Sequence, residues 1–382
     1  MSLIKLFKSV FGAEPTLKVT AAGRINIIGE HVDYCGGRVF PASLNLKCTV
    51  LARPNGTEFI NIYADSLDIK ESLDINQLFQ YKNLKWGNYQ AGVAHVLKEN
   101  GYSLKGCDIL YSCTVPYGSG LSSSAAIEVA TAVCLNEIAQ NEYKLIEMAK
   151  LCQKAENTYC GVNCGIMDQF ASAMGKKDSA ILLNCKTLEY EYVPLELKNY
   201  SIVVANCNKP HNLVESKYNE RRAEVESALE SLKKIYPEIS CLADVTPDML
   251  KNSNVLSGKI LDRATHVVNE CDRVKRAVES LKKGDIEELA NLINQSHDSL
   301  CELYEVTGKE LDALAYIARK QKGCIGARMI GAGFGGCTIS IVDKDCVEKF
   351  VEEVGAEYQK QIGYKASFYQ TSIEDGVTVE KL

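Results

Sequence analysis

Several familiar signals are missing from this sequence. No uninterrupted apolar stretch reaches the ~18 residues that a membrane span requires. The apolar segment Leu3 to Phe11 is broken by Lys5 and Lys8, so it lacks the clean hydrophobic core of a secretory signal; it reads as a short amphipathic helix lying on the body. Sixteen cysteines are present but no Cys-x-x-Cys. The closest pair, Cys160 and Cys164, has no second pair and no histidine pair to complete a zinc site. Scattered thiols of this kind are expected to be small buried hydrophobes in a reducing cytosol. A net charge of −6 argues against a nucleic-acid surface. There is one tryptophan, Trp86, and no internal repeat stands out. What is left is a soluble composition, 46% hydrophobic and 24% charged, in 382 residues, enough for one large or two medium domains.

The most informative stretch runs from Val115 to Ala126 and holds Gly118, Ser119, Gly120, Leu121, Ser122, Ser123 and Ser124. Two glycines a residue apart let the backbone turn sharply and approach a ligand closely. A strand over Asp108–Val115 precedes them. Ile127, Ala130, Cys134 and Ile138 follow at helical spacing on one face. A glycine loop feeding a helix start favours an anion, and phosphate is the candidate. A plain turn with a capping serine is the simpler alternative, but a cap needs one hydroxyl and three are present. Two further absences narrow the loop type. No lysine follows the glycines, as a Walker loop requires, and the third glycine of a dinucleotide fingerprint is missing.

Three other stretches carry clustered chemistry. Gly23-Arg24-Ile-Asn-Ile-Ile-Gly29-Glu30-His31-Val-Asp33-Tyr34 packs two carboxylates and an imidazole into four residues behind a strand, with an arginine just upstream. A solvated loop could hold the same charges, but the apolar run before them and Cys35-Gly-Gly after them suggest a tight turn at a pocket able to read hydroxyls. Gly165-Ile-Met-Asp168-Gln opens a short helix, with Asp168 in its first turn, where an acid is also a common structural choice. Gly326 to Cys337 contains a formal Gly-x-Gly-x-x-Gly, yet an alternating β run follows it where a Rossmann unit needs a helix.

In this order the motifs resemble those of the galactokinases, members of the GHMP small-molecule kinase family. Residues 116–125 fit that family's glycine-serine loop. Residues 23–34 match every fixed position of its sugar-binding motif, and the Gly-Ile-Met-Asp-Gln segment matches its catalytic one. The resemblance implies a two-domain α/β (α+β) fold with the active site in the cleft between domains. Residues 1–180 would form an N-terminal nucleotide- and sugar-binding α/β domain and residues 181–382 a C-terminal GHMP-kinase domain. It implies ATP as co-substrate and galactose as acceptor, with Asp168 and Arg24 catalytic. Glu30, His31, Asp33, Gly165 and Tyr218 would bind the sugar, and residues Gly118 to Ser124 the phosphates. Ser124 and Glu156 would hold Mg²⁺, and Trp86 would lie near the adenine unless it is a core or domain-edge aromatic. The third glycine stretch would pack against the first. Cys35 departs from the common asparagine and resembles N-acetylgalactosamine kinases, which makes that activity the alternative, beside a non-catalytic galactose and ATP sensor. A cytoplasmic monomer with small-molecule partners, no nucleic acid and no membrane is expected.

Local signals give further expectations. His211–Tyr236 reads as a charged helix with Arg221 and Arg222 on a solvated face. Residues 246–320 read as mostly helical, with Pro247 at a helix start and capping pairs at Asp285/Glu288 and Thr307/Glu310. His266 and His297 read as structural or exposed.

Overall fold

A computed structural model describes residues 2–209 and 214–382. The first half builds a six-stranded sheet in the order Thr378–Lys381, Leu17–Asn26, Pro41–Pro54, Cys107–Cys113, Phe59–Ala64 and Ile69–Asp74. Its strands pair antiparallel except Phe59–Ala64 with Cys107–Cys113, which run parallel. One face carries the helix Leu3–Phe11, whose Phe7 packs on Leu51, Tyr63 and Leu110 as the lysine-broken pattern predicted. Side chains alternate along a strand, so Val50 and Ala52 face the other way, into the main core.

That core is centred on the helix Ser123–Ala139. It was expected to bury one face, but nearly all of it is buried. The sheet covers one side, and the helices Asn88–Glu99, Leu145–Ala155 and Met167–Met174 surround the rest. A helix enclosed in this way carries apolar residues on every side, with Glu128, Thr131 and Asn136 buried among them, and loses its amphipathic signature.

The second half forms a four-stranded antiparallel sheet in the order Cys324–Met329, Cys337–Asp343, Tyr200–Asn206 and Ser367–Gln370. A three-stranded sheet of Arg38–Val39, Ser179–Asn184 and Tyr190–Pro194 joins the halves. Residues 246–320 are mostly helical, as expected, in the helices Pro247–Ser253, Gly258–Lys282, Ile286–Glu302 and Gly308–Arg319. Pro247 opens its helix with Thr246 as cap, and Asp285 accepts from Glu288 N at 3.0 Å. The pair expected at Thr307 is not a cap: that residue already has helical backbone and makes no capping bond. The charged helix spans Val214–Lys233, and its expected start at His211 lies outside the described residues. Arg221 is not solvated as expected. It is buried, donating from Nε to Tyr304 O at 2.9 Å and pairing with Glu224. His266 and His297 are fully buried and structural.

The strand expected near the C-terminus is Ser367–Gln370, but the chain then returns to the first sheet. Thr378–Lys381 pairs with Leu17–Thr20. Among the described residues no helix is long and apolar enough to cross a membrane.

Candidate active site

The site begins at a bulge. The register between Leu17–Asn26 and Pro41–Pro54 slips between Ala22 and Arg24. Leu44 to Leu46 of the second strand stand opposite Gly23 alone, so the extra residues lie on that strand and the pairing is locally disrupted. Opposite them Gly23 must be glycine, because a Cβ there would stand 2.8 Å from Leu121 O. At this break in the ladder the strand turns to the glycine-serine loop, with Arg24 N donating to Leu121 O at 3.0 Å. The Arg24 guanidinium is thereby aimed at Asp168. Nε meets Oδ1 and Nη2 meets Oδ2, each at 2.8 Å, and Nη1 donates to Gly120 O at 2.5 Å. A planar fork of this kind fixes a carboxylate in direction as well as distance.

The loop itself uses three left-handed residues, Gly118, Gly120 and Ser122. Serine is strained in that region, and its hydroxyl has a partner to hold it there: Ser122 Oγ donates to Asp168 Oδ2. Ser123 then starts the helix. The third glycine stretch lies against this loop. A Cβ on Gly331 would come within 2.9 Å of Gly120 O, and one on Gly336 within 2.8 Å of Ser119 O.

Asp168 and Arg24 form the shared wall of two compartments. The larger, about 600 Å³, is lined by Gly118, Gly120 and Ser122 to Ser124, with Tyr89 and Tyr117 beyond them. The smaller, about 160 Å³, is lined by Glu30, His31, Asp33, Gly165 and Tyr218. That is below the ~300–1,000 Å³ of pockets for drug-sized ligands and fits one small polar molecule. Arg24 is 3% exposed, whereas Asp168 is 29% exposed and turned toward this space.

The small cavity is chemically unusual. Asp33 is half-buried in its wall, and burial with the nearby Asp168 charge pushes its carboxyl up to about 7. Gly165 leaves room for it, since a Cβ there would stand 1.9 Å from Asp33 Oδ2. His31 is held near 3, and thus neutral, mainly by burial. Its Nε2 lies 3.2 Å from Ala332 O, an acceptor, so that nitrogen carries the hydrogen. Nδ1 therefore accepts from Tyr34 OH at 2.7 Å, and Tyr304 OH donates to Tyr34 OH at 3.0 Å. Both imidazole nitrogens are engaged by the protein. Glu30 accepts from Gly331 N at 2.9 Å, and burial raises its carboxyl against the opposing pull of Arg328.

Ser124 and Glu156 come together behind the loop. Glu156 opens a turn of π-helix, Glu156–Cys160, after the helix Leu145–Ala155, and accepts from Gln169 Nε2 at 2.6 Å. Burial, then the Asp168 charge, pushes its carboxyl up to about 7, and a bond from Ser124 opposes the rise. Among the described residues no group of three or more His, Cys, Asp or Glu side chains converges to hold a metal ion alone. Trp86 lines neither compartment. Its ring packs edge-on against Tyr111 at 6.4 Å, and its Nε1 is buried without a partner among the described residues.

Sequence reasoning missed Tyr34 and Tyr304, which orient His31, and Tyr89 and Tyr117, which line the larger compartment. It also missed Glu128, fully buried and bonded to the same Gln169 amide at 3.0 Å. Glu128 lies four residues beyond Ser124 and so on the same helix face, a spacing that was available in the sequence. Cys35, by contrast, is buried against His31 O and does not line the cavity.

Comparison with known proteins agrees with this geometry. The galactokinase galactose-binding signature matches residues 5–54, the GHMP kinase N-terminal domain residues 88–176 and the GHMP kinase C-terminal domain residues 277–360. A galactokinase from Clostridium tetani is 46% identical over 378 residues, 98% of this chain and 96% of its own. One from Fusobacterium nucleatum is 45% identical over 98% of both chains. The crystal structure of Lactococcus lactis galactokinase complexed with galactose superposes with a TM-score of 0.95 at 42% identity, covering 100% of this chain and 99% of that one. The mevalonate kinase of Methanococcus jannaschii, with a TM-score of 0.68 and 18% identity, shares the fold. The strand that carries Arg24, the helix that carries Asp168 and the loop that faces them thus sit in a scaffold common to these enzymes, and the chain belongs to the galactokinase family of GHMP kinases.

Proposed function

We infer that the chain transfers the γ-phosphoryl group of ATP to the anomeric hydroxyl of galactose, giving α-D-galactose 1-phosphate. The observation that carries this reading is the position of Asp168 on the wall common to a hexose-sized cavity and a serine-lined anion compartment. Phosphoryl transfer asks mainly for alignment, charge neutralisation and an oriented nucleophile. Asp168 Oδ2 already accepts two hydrogen bonds, from Arg24 and Ser122, while Oδ1 accepts one. Oδ1 is therefore the atom with capacity to receive the sugar proton. Arg24 stabilises the charge that develops beside it. Glu30 and Asp33 accept hydroxyls, Tyr218 and His31 wall the sugar, and His31 Nε2 exchanges Ala332 O for a sugar oxygen. Gly165 keeps the backbone close to the ligand. Backbone amides of 118–124 take the phosphates, with Ser122 to Ser124 adding hydroxyls.

Mg²⁺ fits the residues behind the loop. A buried carboxylate whose charge is disfavoured, beside a hydroxyl, suits a cation that takes one or two carboxylates and completes its shell with phosphates and water. Glu156 and Ser124 would hold it, and when bound it would neutralise charge on the transferring phosphate. Trp86, three residues before Tyr89 of the larger compartment, is proposed to lie near the adenine. We assign the chain to the cytoplasm as a monomer, a setting that suits its sixteen free thiols. The division into domains at residue 180 carries one amendment, with residues 378–381 belonging to the first.

The test is ADP release from Mg-ATP across a panel of monosaccharides. Galactose should drive release and N-acetylgalactosamine should not, because Cys35, which favoured the latter, is away from the cavity. Binding of galactose and ATP without turnover would instead make the chain a sensor.

A further inference from the structure

The carboxylate of Glu30 is held by Gly331, which lines the cavity with it, and from behind by Arg328, which does not. Arg328, on the strand Cys324–Met329, is fully buried. Its Nη1 donates to Ile27 O at 3.0 Å and reaches Asn26 O at 3.3 Å. Its Nη2 stands 3.0 Å from Glu30 Oε1. The same Oε1 accepts Gly331 N at 2.9 Å. One oxygen of the carboxylate is thus hydrogen-bonded by Gly331 and paired in charge with Arg328, whose Nη2 is close but makes no hydrogen bond, and the group's remaining acceptor capacity belongs to the cavity wall that Glu30 forms. A second buried unit fixes the neighbouring backbone. Glu270, on the helix Gly258–Lys282, accepts Gly29 N at 2.9 Å and is itself held by Arg273 and Ser296. His266, on the same helix, bonds Glu30 O at 3.2 Å.

We propose that Arg328 is a positioning residue for sugar recognition: its guanidinium fixes the direction of the Glu30 carboxylate, and so decides which hydroxyl of the sugar is read. This rests on the assignment of the small cavity to the sugar. The placement has a physical rationale. A buried carboxylate with no cation beside it takes up a proton and becomes a donor as well as an acceptor. It could then accept several hydroxyl arrangements instead of one. A guanidinium anchored through Nη1 on two backbone carbonyls keeps its charge at a set place beside the carboxylate, which a flexible ammonium does not. The anchors lie on the Asn26–Ile27 backbone, three or four residues before Glu30. Arg328 thus ties the third glycine motif to the sugar loop at the point where selectivity is set.

The experiment compares the native chain with Arg328→Gln, Arg328→Lys and Glu30→Gln on galactose and a series of analogues each lacking one hydroxyl, with Mg-ATP saturating. In the native chain, deleting the hydroxyl read by Glu30 should lower kcat/KM by about tenfold or more, as loss of a bond to a charged group predicts. In Glu30→Gln and in Arg328→Gln that penalty should shrink at the same single position to about threefold or less, with the ATP KM unchanged and penalties at other hydroxyls intact. Arg328→Lys should fall between, and decides the matter should Arg328→Gln not fold. A merely structural role would lower all rates together and leave every analogue ratio at its native value, and that result in both Arg328 variants, with Glu30→Gln altered, overturns the proposal. If Glu30→Gln itself changes no ratio, the cavity assignment fails and the proposal falls with it.

Discussion

Asp33→Asn should stabilise the protein while abolishing sugar recognition, and the gain should depend on pH. A carboxyl moved from its ordinary 3.8 to about 7 by burial and the Asp168 charge carries about 4 kcal/mol against its charged form. The sign follows from linkage. Between pH 4 and 7 the folded chain keeps a proton that the unfolded chain releases, so the native protein loses stability as pH rises through that window and loses no more above it. Asparagine does not titrate. The variant should gain little near pH 4.5 and about 2–4 kcal/mol at pH 8, the lower figure allowing for relaxation around the charge. Calorimetric Tm values of both proteins at pH 5, 6, 7 and 8 would show the two curves diverging upward by several degrees. Galactose should raise the Tm of the native chain and not that of the variant. The native KM for galactose should rise as pH falls below 7, because a protonated Asp33 is a poorer acceptor. A Tm difference that is flat in pH, or a variant less stable at pH 8, would refute the reasoning.

Asp168→Asn should lower kcat by about 10²–10⁴-fold while changing galactose affinity, read by calorimetric titration, only slightly; equal losses in both would remove Asp168 from the proton-accepting role. Gly165→Ala places a Cβ 1.9 Å from Asp33 Oδ2, so initial-rate kinetics should show the sugar KM rising by about tenfold or more with the ATP KM unchanged. Gly331→Ala should do the reverse, raising the ATP KM, because its φ of +79° and a 2.9 Å approach to Gly120 O push strain of about 1–2 kcal/mol into the phosphate loop.

What the sequence revealed was what local chemistry must write locally. The glycine-serine loop, the Gly23-Arg24 bulge region and Asp168 at a helix start each need particular residues at neighbouring positions, and all converge in space. Arg328, Glu270, Tyr304 and His266 left no such trace. Each meets the sugar loop across more than 200 residues, and a lone arginine in a strand or histidine in a helix looks the same with or without such a partner. The enclosed helix Ser123–Ala139 misled for a related reason: periodicity reports one buried face, and burial on every side erases it. Trp86 shows the converse limit, where rarity drew attention to a residue that packs beneath Tyr111 and lines neither compartment.

The pairing of Thr378–Lys381 with Leu17–Thr20 has a bearing on how the chain is made. The partner of an early strand is made long after it. Until those residues are made, that edge presents a row of bare amides and carbonyls, an invitation to association with other nascent chains. Clipping after Gln370 would restore the same exposed edge to the finished protein, so proteolysis there should be felt first as aggregation.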